Sequence, residues 1–86
     1  MKTKSDFLLR QIAGSWVILP IGDNNTKGML TTNESGAMLW KILEQGCQSQ
    51  DLVDALTKEY DVSATQADAD VQEFLEKLYN IGCLED

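Results

Sequence analysis

At Asn33 the chain changes period. Before it, apolar residues come in short runs, FLLRQIA (residues 7–13), WVILPI (16–21) and MLTT (29–32). After it they recur at spacings of three and four, which is the helical pattern. Gly14 and Ser15 between the first two runs suit a tight hairpin turn, and Pro20 marks a strand edge or end. The run GDNNTKG from Gly22 to Gly28 holds the Asp, Asn and Gly residues that favour turns. The first third therefore predicts a small antiparallel sheet whose third strand is Met29 to Thr32.

Three helices follow. The first is predicted over Glu34 to Gln45, with Ala37, Leu39, Trp40, Ile42 and Leu43 on its apolar side and Gly46 at its stop. Ser49 is placed to cap a second helix that buries Leu52, Val53 and Leu56, carries Asp51 in its first turn and ends near Tyr60. Ser63 and Gln66 fit a capping box opening a third, whose stripe is Ala67, Val71, Phe74, Leu75 and Leu78. It should run to about Asn80, with Gly82 terminating it and Cys83 and Leu84 tucking back onto the core. Trp16 and Trp40 are expected as packing residues, and Tyr60 and Tyr79 as packed rings with wet hydroxyls. The fold class is α+β, winged helix-turn-helix-like, with a three-stranded antiparallel sheet followed by three helices.

Eighty-six residues make a single domain, 1–86, with an ordered core over about 7–85. A chain of this size buries roughly 60% of its unfolded surface, which favours binding on the outside over a deep catalytic cavity. The net charge is −7, unevenly spread: residues 1–32 hold four basic and two acidic side chains, residues 33–86 hold three and twelve. Such a helical half repels a phosphate backbone, so nucleic acid is disfavoured as a partner. No run reaches the length of a membrane span and no cleavable signal is visible, which reads as a soluble cytoplasmic protein.

Chemistry has little to stand on. Histidine is absent, and Ser35, Ser49 and Ser63 look like helix starts rather than nucleophiles. Cys47 and Cys83 match no metal-ligand spacing, and Cys47 has Glu44 and Asp51 nearby where an activated thiol needs positive charge. Asp68, Asp70, Glu73 and Glu76 crowd the third helix without a calcium-loop pattern, and read as a solvated face or as a surface for a basic partner. Neither a phosphate-binding glycine motif nor a metal or cofactor site is predicted, and the chain is not read as an enzyme.

The strand Met29 to Thr32 is different in kind. If sheet order follows chain order, it has one neighbour and one free edge of unpaired backbone donors and acceptors. An extended peptide can complete such an edge, main-chain hydrogen bonds giving affinity and pockets under alternate side chains giving specificity. An edge kept short against aggregation is the other reading, and the residues alone leave both open.

The stretches TNESGAMLWKILEQG and SQDLVDALTKEYDVSATQADADVQEFLEKLYNIGCLE resemble the PqqD family, the small proteins of pyrroloquinoline quinone biosynthesis and their relatives, the RiPP recognition elements. The resemblance covers roughly residues 7–85 and rests on the order and spacing of Asn33 to Ala37, Trp40, Leu43, Leu52 to Leu56, Tyr60, Asp70, Val71, Phe74, Leu75 and Leu78. It implies a domain that binds the leader of a ribosomally made precursor peptide and presents it to a modifying enzyme, commonly a radical S-adenosylmethionine protein. The leader adds to the third strand and lies between that strand and the third helix. Carried over, this gives Met29, Leu30, Thr31 and Thr32 on the strand side, and Gln66, Asp70, Val71 and Phe74 on the helix side, the last two being equally suited to the core. Thr32 stands where such proteins often have leucine, so the contact there is smaller or differently polar. Monomer and weak homodimer both remain open. Two other classes compete, a winged-helix DNA-binding regulator and a thiol redox protein using both cysteines.

Overall fold

A computed structural model describes residues 1–21 and 29–85, so the Gly22–Gly28 run and its expected turns lie outside the described residues. The elements are β1 (Lys2–Thr3), β2 (Phe7–Ile12), β3 (Ser15–Pro20), β4 (Leu30–Thr32), α1 (Glu34–Glu44), α2 (Ser49–Glu59), α3 (Ala64–Asn80) and β5 (Leu84–Glu85). Strands β2, β3 and β4 form an antiparallel sheet in chain order, while β1 and β5 pair separately. The α+β class and the three strands preceding three helices agree with the sequence reading.

The hairpin turns one residue earlier than Gly14 and Ser15 suggest. Ile12 faces Ser15 across the ladder, leaving Ala13 (φ 51°) and Gly14 (φ 84°) as the two loop residues. Two successive positive φ values match the twist of paired strands, and glycine takes one without cost. Ala13 takes the other at roughly 1 kcal/mol. Pro20 ends β3 beyond residues 16–18, which face β4, so its missing N–H leaves that ladder intact.

Ile18 sits between Leu9 and Leu30 in register, and this row, with Phe7, packs on the helices. The helices bury the predicted stripes: Leu39, Trp40 and Leu43 from α1, Leu52, Val53 and Leu56 from α2, and Ala67, Val71, Phe74, Leu75 and Leu78 from α3. Trp40 is fully buried, and its Nε1 N–H has no partner among the described residues. That costs about 1–3 kcal/mol, offset by the area the ring buries. Trp16 is not core as expected: it is half-buried at the sheet's flank, with Lys41 Nζ 5.4 Å from its ring centroid. Tyr60 and Tyr79 are exposed (38% and 48%) rather than packed.

Caps are mostly as read. Asn33 Oδ1 accepts from Gly36 N at 2.9 Å and from Ser35 Oγ at 2.7 Å, fixing the start of α1. The cap of α2 is Gln48, not Ser49, because Asp51 reaches back to accept from Gln48 N at 2.8 Å. Ser63 Oγ accepts from Gln66 N at 3.1 Å, but the Gln66 amide turns to Asp70, so only half of the predicted box forms.

Two-residue strands β1 and β5 are absent from the sequence reading, which began the fold at Phe7. Lys2 faces Glu85 and Thr3 faces Leu84, and Lys4 N donates to Cys83 O at 2.9 Å. Met1 N donates to Cys47 O and Cys47 N donates to Met1 O, each at 2.9 Å. These bonds tie the first residues to the C-terminal end of α1.

Candidate functional site

Among the described residues strand β4 has β3 as its one sheet neighbour, and its other edge is unpaired. Beside that edge lies an open groove of about 180 Å³, with Leu30, Thr31 and Thr32 along one wall and Asp70, Glu73 and Lys77 of α3 along the other. Phe74, Leu39 and Leu56, all buried, form its floor. The first turn of α1 closes one end with Asn33, Ser35 and Gly36.

Gly36 is what lets the strand and helix meet this closely. A Cβ there would overlap the Thr32 hydroxyl and lie 3.3 Å from Phe74 Cε1. Thr32, Gly36 and Phe74 thus form one tight junction between strand, helix start and groove floor. The threonine that departs from the commoner leucine is seated in it.

Of the residues expected from sequence, Leu30, Thr31, Thr32, Asp70 and Phe74 line the groove. Met29 precedes β4, outside the strand, and is 66% exposed. Gln66 is exposed one turn before Asp70, whose Oδ1 accepts from Gln66 Nε2 at 2.9 Å. Val71 has no accessible surface; it faces the core and offers a guest nothing to touch. At 3.6 residues per turn Phe74 lies between the two, about 40° round the helix from Asp70 and about 60° from Val71, so it borders both groove and core while Asp70 and Val71, about 100° apart, lie on different sides.

Sequence reasoning missed Leu39, Leu56, Glu73 and Lys77 as groove residues. The two leucines read as plain core because their periodicity is that of the core. Glu73 and Lys77 carried a signal, being three and seven positions after Asp70 on the same helical stripe. Lys77 Nζ and Glu73 Oε1 are 3.3 Å apart with both side chains more than half exposed, a pair worth little in stability.

Chemically the groove offers the backbone edge of β4, the Asp70 and Glu73 carboxylates, the Lys77 ammonium and an apolar floor. Among the described residues no cluster of three or more His, Cys, Asp or Glu side chains is arranged to hold a metal. Cys83 is a buried thiol in no disulfide, and its Sγ donates to Leu78 O at 3.4 Å. Cys47 is likewise in no disulfide and is half-buried; burial first, then the charge of Asp51, pushes its thiol pKa up, with the Met1 amine opposing. A raised pKa is the reverse of what a reactive thiol needs. No helix among the described residues is long and apolar enough to cross a membrane.

Comparison with known proteins places this geometry. The family model described as Coenzyme PQQ synthesis protein D (PqqD) matches residues 15–84. No curated protein matches the chain. Among solved structures the chain is similar to one described as TbiB1 in complex with the TbiA(beta) leader peptide, at 28% identity and a TM-score of 0.79, covering 99% of this chain and 95% of that one. It also shares the fold of a lasso peptide synthetase B1 complexed with the leader peptide, at 22% identity and a TM-score of 0.77, covering 99% and 96%.

Proposed function

This chain belongs to the PqqD family, its match running over residues 15–84, and from that premise we propose that it binds the leader of a ribosomally made precursor peptide. The leader adds as a strand to the free edge of β4, with alternate side chains in the groove against α3. The domain does no chemistry itself and presents the peptide to a modifying enzyme, for which a radical S-adenosylmethionine protein is the family's common partner.

The observation that carries this reading is the unpaired β4 edge lying beside an apolar-floored groove. An edge alone supplies hydrogen bonds but no selectivity; the groove beneath alternate guest residues supplies it. The likeness to a leader-peptide complex at 28% identity supports the same reading. Leu30, Thr31, Thr32, Asp70 and Phe74 are the proposed contacts, with Met29 and Gln66 bordering the site and Val71 holding α3 in place from behind. Carboxylates on the exposed face of α3 count against the DNA-binding alternative.

Hydrogen exchange on the full chain tests this. A precursor leader encoded beside the gene should slow exchange in Leu30–Thr32 and leave β2 unchanged. Exchange at β4 that no such leader alters would overturn the reading.

A further inference from the structure

The walls of the groove are not electrically balanced. Strand β4 contributes no charge, nor does Leu56 of α2, and the nearest charge on the first turn of α1 is another carboxylate, Glu34. On α3, Glu73 and Lys77 neutralise one another at 3.3 Å. Asp70 has for its partner only the uncharged Gln66 amide at 2.9 Å. Its charge is the one along the α3 wall without a counter-charge among the described residues.

Its position relative to the floor is also defined. Asp70 precedes Phe74 by four residues on α3, about 6 Å along the helix axis. Side chains two residues apart on one face of an extended strand are separated by roughly 6.6 Å. The two spacings match, so a guest strand that runs along α3 sets one side chain over Phe74 and the next on the same face beside Asp70.

We infer that the peptide this groove selects carries a large apolar residue and a lysine or arginine two positions away, the first seated on Phe74 and the second paired with Asp70. This rests on strand addition at β4 and adds to it a charge requirement and a register. A leader with an acidic residue at that position meets the Asp70 carboxylate, which has no counter-charge, and binds more weakly. The basic side chain also distinguishes this register from one slipped by a single residue, which turns the same side chain to the outer face of the sheet.

A selection from randomised short peptides against the full chain tests it, with hydrogen exchange to locate the bound peptides. The expected pool slows exchange at Leu30–Thr32 and is enriched in the apolar and basic pair at two-residue spacing, in either order. Exchanging the basic residue for glutamate should weaken binding about threefold to tenfold at low salt. Asp70→Lys, on an exposed position of α3, should reverse that preference, so that the glutamate peptide binds the tighter of the two and is the one that slows exchange at Leu30–Thr32. Peptides that protect β4 yet show no preference at this position, or the same preference with Asp70→Lys, overturn the inference and leave strand addition standing. Peptides that leave β4 unprotected, or the absence of any enriched peptide, overturn both.

Discussion

At the N-terminal end of α1 the edge of β4 is unpaired and a groove opens beside it, whereas at the C-terminal end Met1 and Cys47 exchange two backbone bonds and β1 is covered by β5. The eleven residues of α1 separate the two by about 16 Å. Both ends bring a short strand against the same helix, and each strand has one sheet partner among the described residues, but beside β1 the backbone of Met1 is taken up by Cys47, whereas beside β4 a groove stands open. An edge of three residues is too short to invite aggregation, and long enough for a guest once a groove holds its side chains. The difference between the ends is therefore the difference between closing a fold and leaving a site.

The largest effects should separate fold from site. Phe74→Ala removes the groove floor and should cost about 3–5 kcal/mol of stability, with peptide binding lost as well. Leu84→Ala, in β5, should cost about 2–4 kcal/mol and leave peptide affinity within twofold. Denaturant midpoints and affinities measured on both variants would break the comparison if Leu84→Ala weakens binding as much as Phe74→Ala does.

A smaller effect probes the junction itself. Gly36→Ala forces a methyl onto the Thr32 hydroxyl and should destabilise by about 1–3 kcal/mol while narrowing the groove. Thr32→Ala in the same chain should recover most of that loss, a coupling that a double-mutant cycle reads directly. Additive losses would mean that the two side chains do not meet as described.

The smallest effect belongs to the closed end. With its pKa raised, Cys47 should be alkylated more slowly than a free thiol at mildly alkaline pH, since less of it is thiolate, and its rate profile should be displaced to higher pH. Peptide bound at β4 should leave that profile unmoved. A profile at or below that of a free thiol would show that Cys47 is neither buried nor opposed by Asp51.

Helix positions were legible because capping and periodicity act over a few residues. Asn33, Ser63 and the stripes from Ala37 to Leu78 need no tertiary context to be recognised. The edge position of β4 was legible too, since strands joined in chain order leave the last one with a free side. What stayed hidden depended on contacts distant in sequence. Strands β1 and β5 are two residues long, too short for alternation, and exist only because the chain brings Lys2 and Glu85 together. Leu39 and Leu56 gave the same signal whether they faced core or groove. Val71 and Asp70 are adjacent in sequence, and only the orientation of α3 shows that one is core and the other wall. Gln48 took the cap from Ser49 because the Asp51 carboxylate reached one residue further back.

The pairing of β1 with β5 makes the polypeptide almost a ring. Its first and last described strands lie side by side, close to the end of α1 that is remote from the groove. A second protein joined to either end would be leashed at one place on the domain, so the local concentration it experiences near a bound peptide is governed by the linker rather than by which end carries it. Both attachments would also leave the β4 edge clear.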